Sequence, residues 1–148
     1  MTRVKHQLRD DLGFLTARAH RALRHWLLSR LDPYGITYPQ FVVLTHLREE
    51  SGLSQTELAD RAFMDETSLA RMLQRMEEAE LIRREVDELD LRVNRVTLTA
   101  AGRDLQVKLM PLRHEGLEQA TAGLSAEEVS ELKRMLDHIF HNMAPDQE

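Results

Sequence analysis

The side chains best suited to chemistry lie in two neighbouring stretches. Read as a helix from Asp65 onward, one face carries Glu66, Thr67, Ala70, Arg71, Gln74 and Arg75. Leu69, Met72, Leu73 and Met76 recur on the other at i, i+3, i+4 and i+7. Short hydroxyls next to an arginine (Thr67, Ser68, Arg71) suit hydrogen bonds to base edges and phosphates, with Gln74 and Arg75 one turn further on. A merely solvated face is the competing reading for Gln74 and Arg75. Just upstream, Ser54, Gln55 and Thr56 open another helix with the capping pattern Ser54-Gln-Thr-Glu57, where hydroxyls and free backbone amides can hold a phosphate. Capping alone also accounts for Ser54. Glu66 opposes phosphate; it either complements the helix dipole or accepts from a cytosine amino group.

Other chemistries find less support. The chain has no cysteine, which excludes disulfides, thiolate nucleophiles and Cys-ligated zinc. His138 and His141 have a feasible two-ligand spacing and His114 could approach from the preceding helix, but no Cys/His or His-Glu-x-x-His pattern accompanies them, so no metal is assigned. There is no phosphate-cradling glycine loop and no G-x-S-x-G motif, so neither an enzyme nor a cofactor is expected.

The elements that must position these residues are nearly all helical. Leu8, Leu12, Leu15, Ala19, Ala22 and Trp26 step by three and four along a first long helix, ended by Asp32-Pro33-Tyr-Gly35. Thr37-Tyr-Pro-Gln40 is a capping box for a second, burying Phe41, Leu44 and Leu47 and stopping at Ser51-Gly52. A short helix from Ser54 to about Ala62, burying Leu58 and Ala59, and the helix from Asp65 are separated by the three-residue spacing of a helix-turn-helix. The period then switches: Ile82 to Val86 and Arg95 to Thr99 read as a β-hairpin around the charged loop 87–94, which is the layout of a wing. Thr99 caps a long helix bearing Leu105, Leu109 and Leu112, in which Pro111 is expected to kink or break the backbone. Ser125-Ala-Glu-Glu128 opens a last helix with the stripe Leu132, Met135, Leu136, Ile139 and Met143, and Ala144–Glu148 is expected to fray. Apolar stripes at both ends exceed what so small a middle can cover, which points to burial between two chains; a monomeric bundle is the alternative.

At 148 residues the length suits one domain. Net charge is −5, but unevenly spread: residues 1–48 balance at +5, 49–80 at −6, 81–103 at +1 and 104–148 at −5. Total charge therefore argues against nucleic acid, and only local placement can answer it. With no apolar run of membrane-spanning length and charges interrupting the first residues, a cytoplasmic protein without membrane association is expected.

Three fragments of the middle segment, Leu53-Ser-Gln-Thr-Glu-Leu-Ala59, Asp65-Glu-Thr-Ser-Leu-Ala-Arg71 and Leu73-Gln-Arg-Met-Glu77, together resemble the MarR (multiple-antibiotic-resistance regulator) family. So do Leu81-Ile-Arg-Arg84, the wing Asp87-Glu-Leu-Asp-Leu-Arg92 and Val96-Thr-Leu-Thr-Ala-Ala-Gly102, and the helix order agrees over nearly the whole chain. The resemblance implies a mainly α fold with a small β-hairpin: a winged helix-turn-helix over about 36–100, flanked by dimerisation helices over about 5–31 and 101–143. It implies a homodimeric transcription regulator, a ligand-responsive repressor that binds a pseudo-palindromic operator in double-stranded promoter DNA. By that similarity residues 66–78 are the recognition helix and Arg92 holds the position of a minor-groove arginine, with Arg95 counted among the DNA contacts. Physically, a narrow minor groove attracts arginine, although a pair with Asp87 or Asp90 would equally explain Arg92. The sequence departs from the family where Leu91 replaces the first of two basic wing residues and Glu88 a common proline, which weakens the expected salt dependence.

The resemblance also implies a small aromatic or anionic effector between the dimerisation and DNA-binding parts. Its candidate contacts are Arg18, His20, Arg24, His25 and Trp26 from the first helix, with Tyr38, Phe41 and His46 from the second. Trp26 and Phe41 also lie on apolar stripes, so plain core packing is the alternative for both. Two other functions stay open: a protein-binding helical adaptor that has lost DNA binding, suggested by the acidic 49–80 segment, and a metal-responsive regulator using His114, His138 and His141.

Overall fold

The computed structural model describes residues 10–144. Helix α1 (Leu12–Leu31) starts where Asp11 Oδ1 accepts the Phe14 amide at 3.1 Å; Leu8, expected in its stripe, lies outside the described residues, as does most of the 144–148 segment. A single 3-10 turn (Asp32–Tyr34) ends on Gly35 at φ 63°, a left-handed conformation that costs glycine little. Helices α2 (Tyr38–Glu49) and α3 (Gln55–Ala62) both begin with complete capping boxes, Thr37/Gln40 and Ser54/Glu57. Helix α4 (Glu66–Glu78) follows after three residues, with the Asp65 carboxylate accepting the Ser68 amide at 2.8 Å.

The sheet holds one strand more than the expected hairpin. Strands β2 (Ile82–Val86) and β3 (Asn94–Leu98) pair antiparallel with Ile82 opposite Leu98 and Val86 opposite Asn94. A two-residue strand β1 (Leu53–Ser54) adds to the other edge of β3, Leu53 opposite Val96 and Ser54 opposite Arg95, giving the order β1-β3-β2. Two residues are too few for a period-2 signal, so β1 had no signature of its own. Its consequence is that Ser54 is at once the last ladder residue and the N-cap of α3, which fixes that helix to the wing's inner strand.

One core joins these pieces. Leu44 and Leu47 of α2, Leu58 of α3, Leu69, Leu73 and Met76 of α4, Leu53, Ile82 and Val96 of the sheet and Leu109 of the following helix are all essentially solvent-free. Burial of each leucine is worth about 2 kcal/mol. The stripes of α2, α3 and α4 thus face inward as the spacing predicts, except that Ala70 is half-buried rather than on the outer face.

Helix α5 (Ala100–Ala120) is capped by Thr99 and runs unbroken through Pro111. The expected break does not occur. Pro111 and Val107, whose carbonyl loses its partner, are both exposed, so water can satisfy that carbonyl. Helix α6 (Ala126–Met143) has a complete Ser125/Glu128 capping box and no buried residue. Leu132, Met135, Leu136, Phe140 and Met143 face solvent on it, as do Leu12, Phe14 and Leu23 on α1. Among the described residues no helix is long and apolar enough to cross a membrane.

Helix α5 leaves the sheet at very close quarters. A Cβ placed on Gly102 would stand 2.0 Å from the Leu81 carbonyl oxygen, which is backbone and cannot swing away. Gly102→Ala is expected to lower stability by about 1–3 kcal/mol through overpacking. A urea midpoint equal to that of the unsubstituted chain would show that α5 does not need this approach.

Candidate nucleic-acid interface

Helix α4 turns Glu66, Thr67, Ser68, Arg71, Gln74 and Arg75 to solvent, while Leu69, Leu73 and Met76 anchor it from behind. Among the described residues neither Arg71 nor Arg75 has a carboxylate within salt-bridge distance, whereas Gln74 Nε2 donates to Glu78 Oε1 at 3.2 Å. The acidic 49–80 segment looks different in three dimensions. Glu49 accepts from Arg113 and Glu50 from Arg61, Glu57 and Asp65 cap helices, and Glu77 is held by Arg84. Much of its negative charge is therefore matched inside the protein, and two free arginines stand on the exposed face.

The Glu77–Arg84 pair also orients α4. Arg84 donates to Glu77 Oε2 from Nε and Nη2 at 3.0 and 2.7 Å, and its backbone N–H donates to Oε1 at 2.9 Å. Three bonds to one carboxylate, which hold its pKa below the usual carboxylate range, bind the recognition-type helix to β2.

The wing loop is organised by Asp87. Its Oδ1 accepts the amides of Leu89 and Asp90 at 2.8 and 2.9 Å, and its Oδ2 accepts Arg95 Nε at 2.8 Å. The Arg95 contact first, then the two amides, lower the Asp87 pKa to about 2. Arg95 Nη1 reaches on to Glu57 Oε2 at 3.3 Å and to the Gly52 carbonyl at 3.4 Å. Arg95 thus joins the wing root to the start of α3 through these partners, while its side chain stays 40% exposed. Arg92 differs. It pairs with Asp90 rather than Asp87, at 3.1 Å, yet its side chain is 90% exposed, and a pair so open to water is worth little. At α3 the Ser54 hydroxyl accepts the Glu57 amide at 3.1 Å and Glu57 returns to the Ser54 amide at 2.7 Å, so a phosphate there would meet the Glu57 carboxylate beside Gln55 and the exposed Thr56.

The eight residues named as effector contacts do not form one pocket. Tyr38 packs edge-on against His20 at 6.4 Å between centroids, with Arg24 above its ring at 5.6 Å. Arg18, Arg24 and His25 border a shallow depression on α1, and the half-buried His46 lines none of the described cavities. Trp26 is structural: its ring lies against Gly116, where a Cβ would come within 2.9 Å, its Nε1 donates to Gln119 Oε1 at 2.6 Å, and Arg30 stacks on its face. Only Phe41 lines the cavity between α2 and α5, of about 530 Å³, with Thr45, Gln106, Leu109 and, at its mouth, Arg48, Arg113, His114 and Lys133. His114, His138 and His141 do not converge; among the described residues no three His, Asp or Glu side chains are placed to hold a metal.

Gln106 was not among the expected site residues. It is only 4% exposed, and its Oε1 has no partner. The Thr45 hydroxyl gives its proton to the Phe41 carbonyl at 2.9 Å and so must accept from Gln106 Nε2 at 3.3 Å, which fixes the amide with Oε1 free. A glutamine three residues from Leu109, on the inward face of an apolar stripe, was the signal available in the sequence.

The MarR family model matches residues 36–93, the span from α2 through the wing. Over 138 residues the chain is 30% identical to the HTH-type transcriptional regulator MgrA of Staphylococcus aureus, covering 93% of this chain and 92% of that protein. The chain belongs to the MarR family. It is also 34% identical to the HTH-type transcriptional repressor Mb2911 of Mycobacterium bovis, over 89% of this chain and 96% of that protein. A mutant of MarR from E. coli, solved with operator DNA, superposes with a TM-score of 0.79 at 28% identity, covering 86% of this chain and 92% of that one. This MarR-family chain is a winged helix-turn-helix transcription regulator, and its relatives are regulators rather than enzymes.

The Asp87 carboxylate offers a direct check of wing order. A carboxylate whose pKa is depressed on folding stabilises the fold above its ordinary value of 3.8, and that contribution is lost as pH falls toward about 2. The Asp87 carboxyl carbon is expected to titrate near 2 by NMR and to move back up in Arg95→Gln. A midpoint near 3.8 in the unsubstituted chain would refute the three-bond wing root.

Proposed function

We propose that this MarR-family regulator binds a pseudo-palindromic operator as a homodimer, represses by excluding polymerase from promoter DNA, and is released by a small effector. The observation that carries the DNA part is the pairing of free Arg71 and Arg75 beside Thr67 and Ser68 on an exposed helix face with the exposed Arg92 on a wing tied to that helix. A helix face of this kind suits a major groove, and an arginine on an adjacent wing suits the neighbouring minor groove.

Dimerisation is supported by the apolar faces of α1 and α6. An amphipathic helix with no buried residue is unusual for a monomer and is explained when a second copy covers it. The working division is then a DNA-reading part over about 36–100 and a dimerising part made of α1, α5 and α6. Doubling the contacts also compensates for the few basic residues in each copy. The repressor sign is supported by the relative from Mycobacterium bovis, a repressor by name, and action on chromosomal DNA fits the cytoplasm.

For the effector, the cavity between α2 and α5 supports an aromatic or otherwise amphipathic anion. Phe41 and Leu109 provide apolar walls, Gln106 Oε1 requires a hydroxyl or N–H donor, and Arg48 and Lys133 favour negative charge while the lining Glu49 is paired with Arg113. Such a ligand acts only by binding the released and DNA-bound arrangements unequally.

The DNA reading is tested by enriching duplexes from a randomised pool on the purified protein and measuring binding by fluorescence anisotropy. Arg71→Ala and Arg92→Ala are each expected to weaken the enriched duplex by about tenfold or more while the protein remains dimeric. Enrichment of nothing above a scrambled control would remove the DNA-binding role. For the effector, 4-hydroxybenzoate is titrated into the protein–DNA complex. Release by the unsubstituted chain is expected to need about tenfold more ligand in Gln106→Leu, which loses the acceptor; identical titrations would remove this cavity as the effector site.

A further inference from the structure

We propose that Leu89 and Leu91 are contact residues for the minor groove, so that the wing enters it with an apolar tip and disfavours G·C pairs beneath it; this rests on the DNA-reading role proposed above. Leu89 is 98% exposed and Leu91 80%. They stay exposed because the loop between them is tied from within. Asp87 takes the Leu89 and Asp90 amides, Asp90 takes the Arg92 amide at 3.0 Å, and backbone bonds Asp87 N to Val93 O and Val93 N to Asp90 O close the turn at 2.8 and 2.9 Å. A loop with its amides satisfied in this way cannot fold the leucines inward without breaking several hydrogen bonds. Each bare leucine forgoes hydrophobic stabilisation, so the arrangement is explained when something else covers them.

Duplex DNA fits that cover better than a second copy or another protein. Arg92, 90% exposed, sits next to Leu91 on the same tip and supplies the positive charge that a groove requires. The tip is continuous with the exposed face of α4 through β2 and the Glu77–Arg84 bonds. Of the three tip carboxylates, Asp87 is turned to Arg95 and the loop amides, which lessens its repulsion of phosphates, while Asp90 shares Arg92, whose charge enters the groove by leaving that exposed pair. The walls of a minor groove are deoxyribose C–H groups, which a leucine can cover without leaving a polar group unpaired. Guanine differs from adenine on the groove floor by its N2 amino donor. A leucine over that donor removes its water and returns no acceptor, so G·C pairs under the wing are penalised.

The test uses the full chain and the duplex enriched with it as above. Leu89→Ser/Leu91→Ser is expected to bind that duplex about tenfold more weakly, with the slope of log affinity against log salt unchanged because no charge is altered. Leu89→Met/Leu91→Met is expected to bind like the unsubstituted chain. Placing G·C pairs under the wing should weaken binding, and replacing guanine there by inosine, which lacks the amino group, should restore it for the leucine chain but not for the serine variant. Equal affinity of the serine variant and the unsubstituted chain would overturn the wing contact while leaving DNA reading intact. Enrichment of no duplex at all by the unsubstituted chain would overturn both.

Discussion

The guanidinium of Arg95 is the point through which the DNA-facing half of this molecule is made one body. It bonds Asp87 at the wing root, Glu57 in the capping box of α3 and the carbonyl of Gly52 before β1. Without it the wing would keep its strand pairing and its buried Ile82 and Val96 but lose the side-chain link from its root to α3. Helix α4 is fastened to the other edge of the same sheet by Arg84 and Glu77. The wing tip, the start of α3 and the face of α4 therefore share one rigid base, which matters because groove contacts depend on sub-ångström placement of several groups at once.

This arrangement resolves a tension in the charge distribution. A chain with net charge −5, and most acidic over the stretch that includes α4, is a poor candidate for binding a polyanion by bulk attraction. The carboxylates, however, are the scaffold: Glu57 and Asp65 start helices, Asp87 and Glu77 hold the wing and α4. What faces outward on α4 and the wing is Arg71, Arg75, Arg92 and two leucines, alongside Glu66 and Glu88. Such a surface depends less on counterion release and more on shape and specific contacts than a basic one does.

The helices and their inward faces were legible because each start carries its own signature and each stripe has a period. The Thr37/Gln40, Ser54/Glu57 and Ser125/Glu128 boxes close as their spacing predicts, and the Leu69–Met76 stripe is the buried side of α4. Strand β1 was not legible, because pairing Leu53 with Val96 is a long-range choice that two residues cannot announce. Nor was the inward use of Arg95, since an arginine on a strand looks the same whether its partner is phosphate or a carboxylate 38 residues away. The effector residues scattered for a related reason: a stripe on α1 shows that Trp26 packs somewhere, but only Gly116 shows that it packs on α5.

Helix α5 connects the sheet to α1 and α2. At its start Gly102 lies against the Leu81 carbonyl and Arg103 donates to the carbonyl of Leu98 at 2.9 Å, so it cannot tilt there without carrying the sheet. Near its end Gly116 receives Trp26 of α1. Between these fixed points Gln106 and Leu109 line the cavity against α2. At about 1.5 Å per residue, the stretch from Gly102 to Gly116 spans roughly 20 Å from sheet to α1 contact. Pro111 lies within the stretch of α5 that lines the cavity, between Leu109 and Arg113, where the helix lacks one backbone bond. The two ends of α5 are thus tied to different parts of the fold, the sheet at Gly102 and α1 at Gly116, with the cavity and this turn between them.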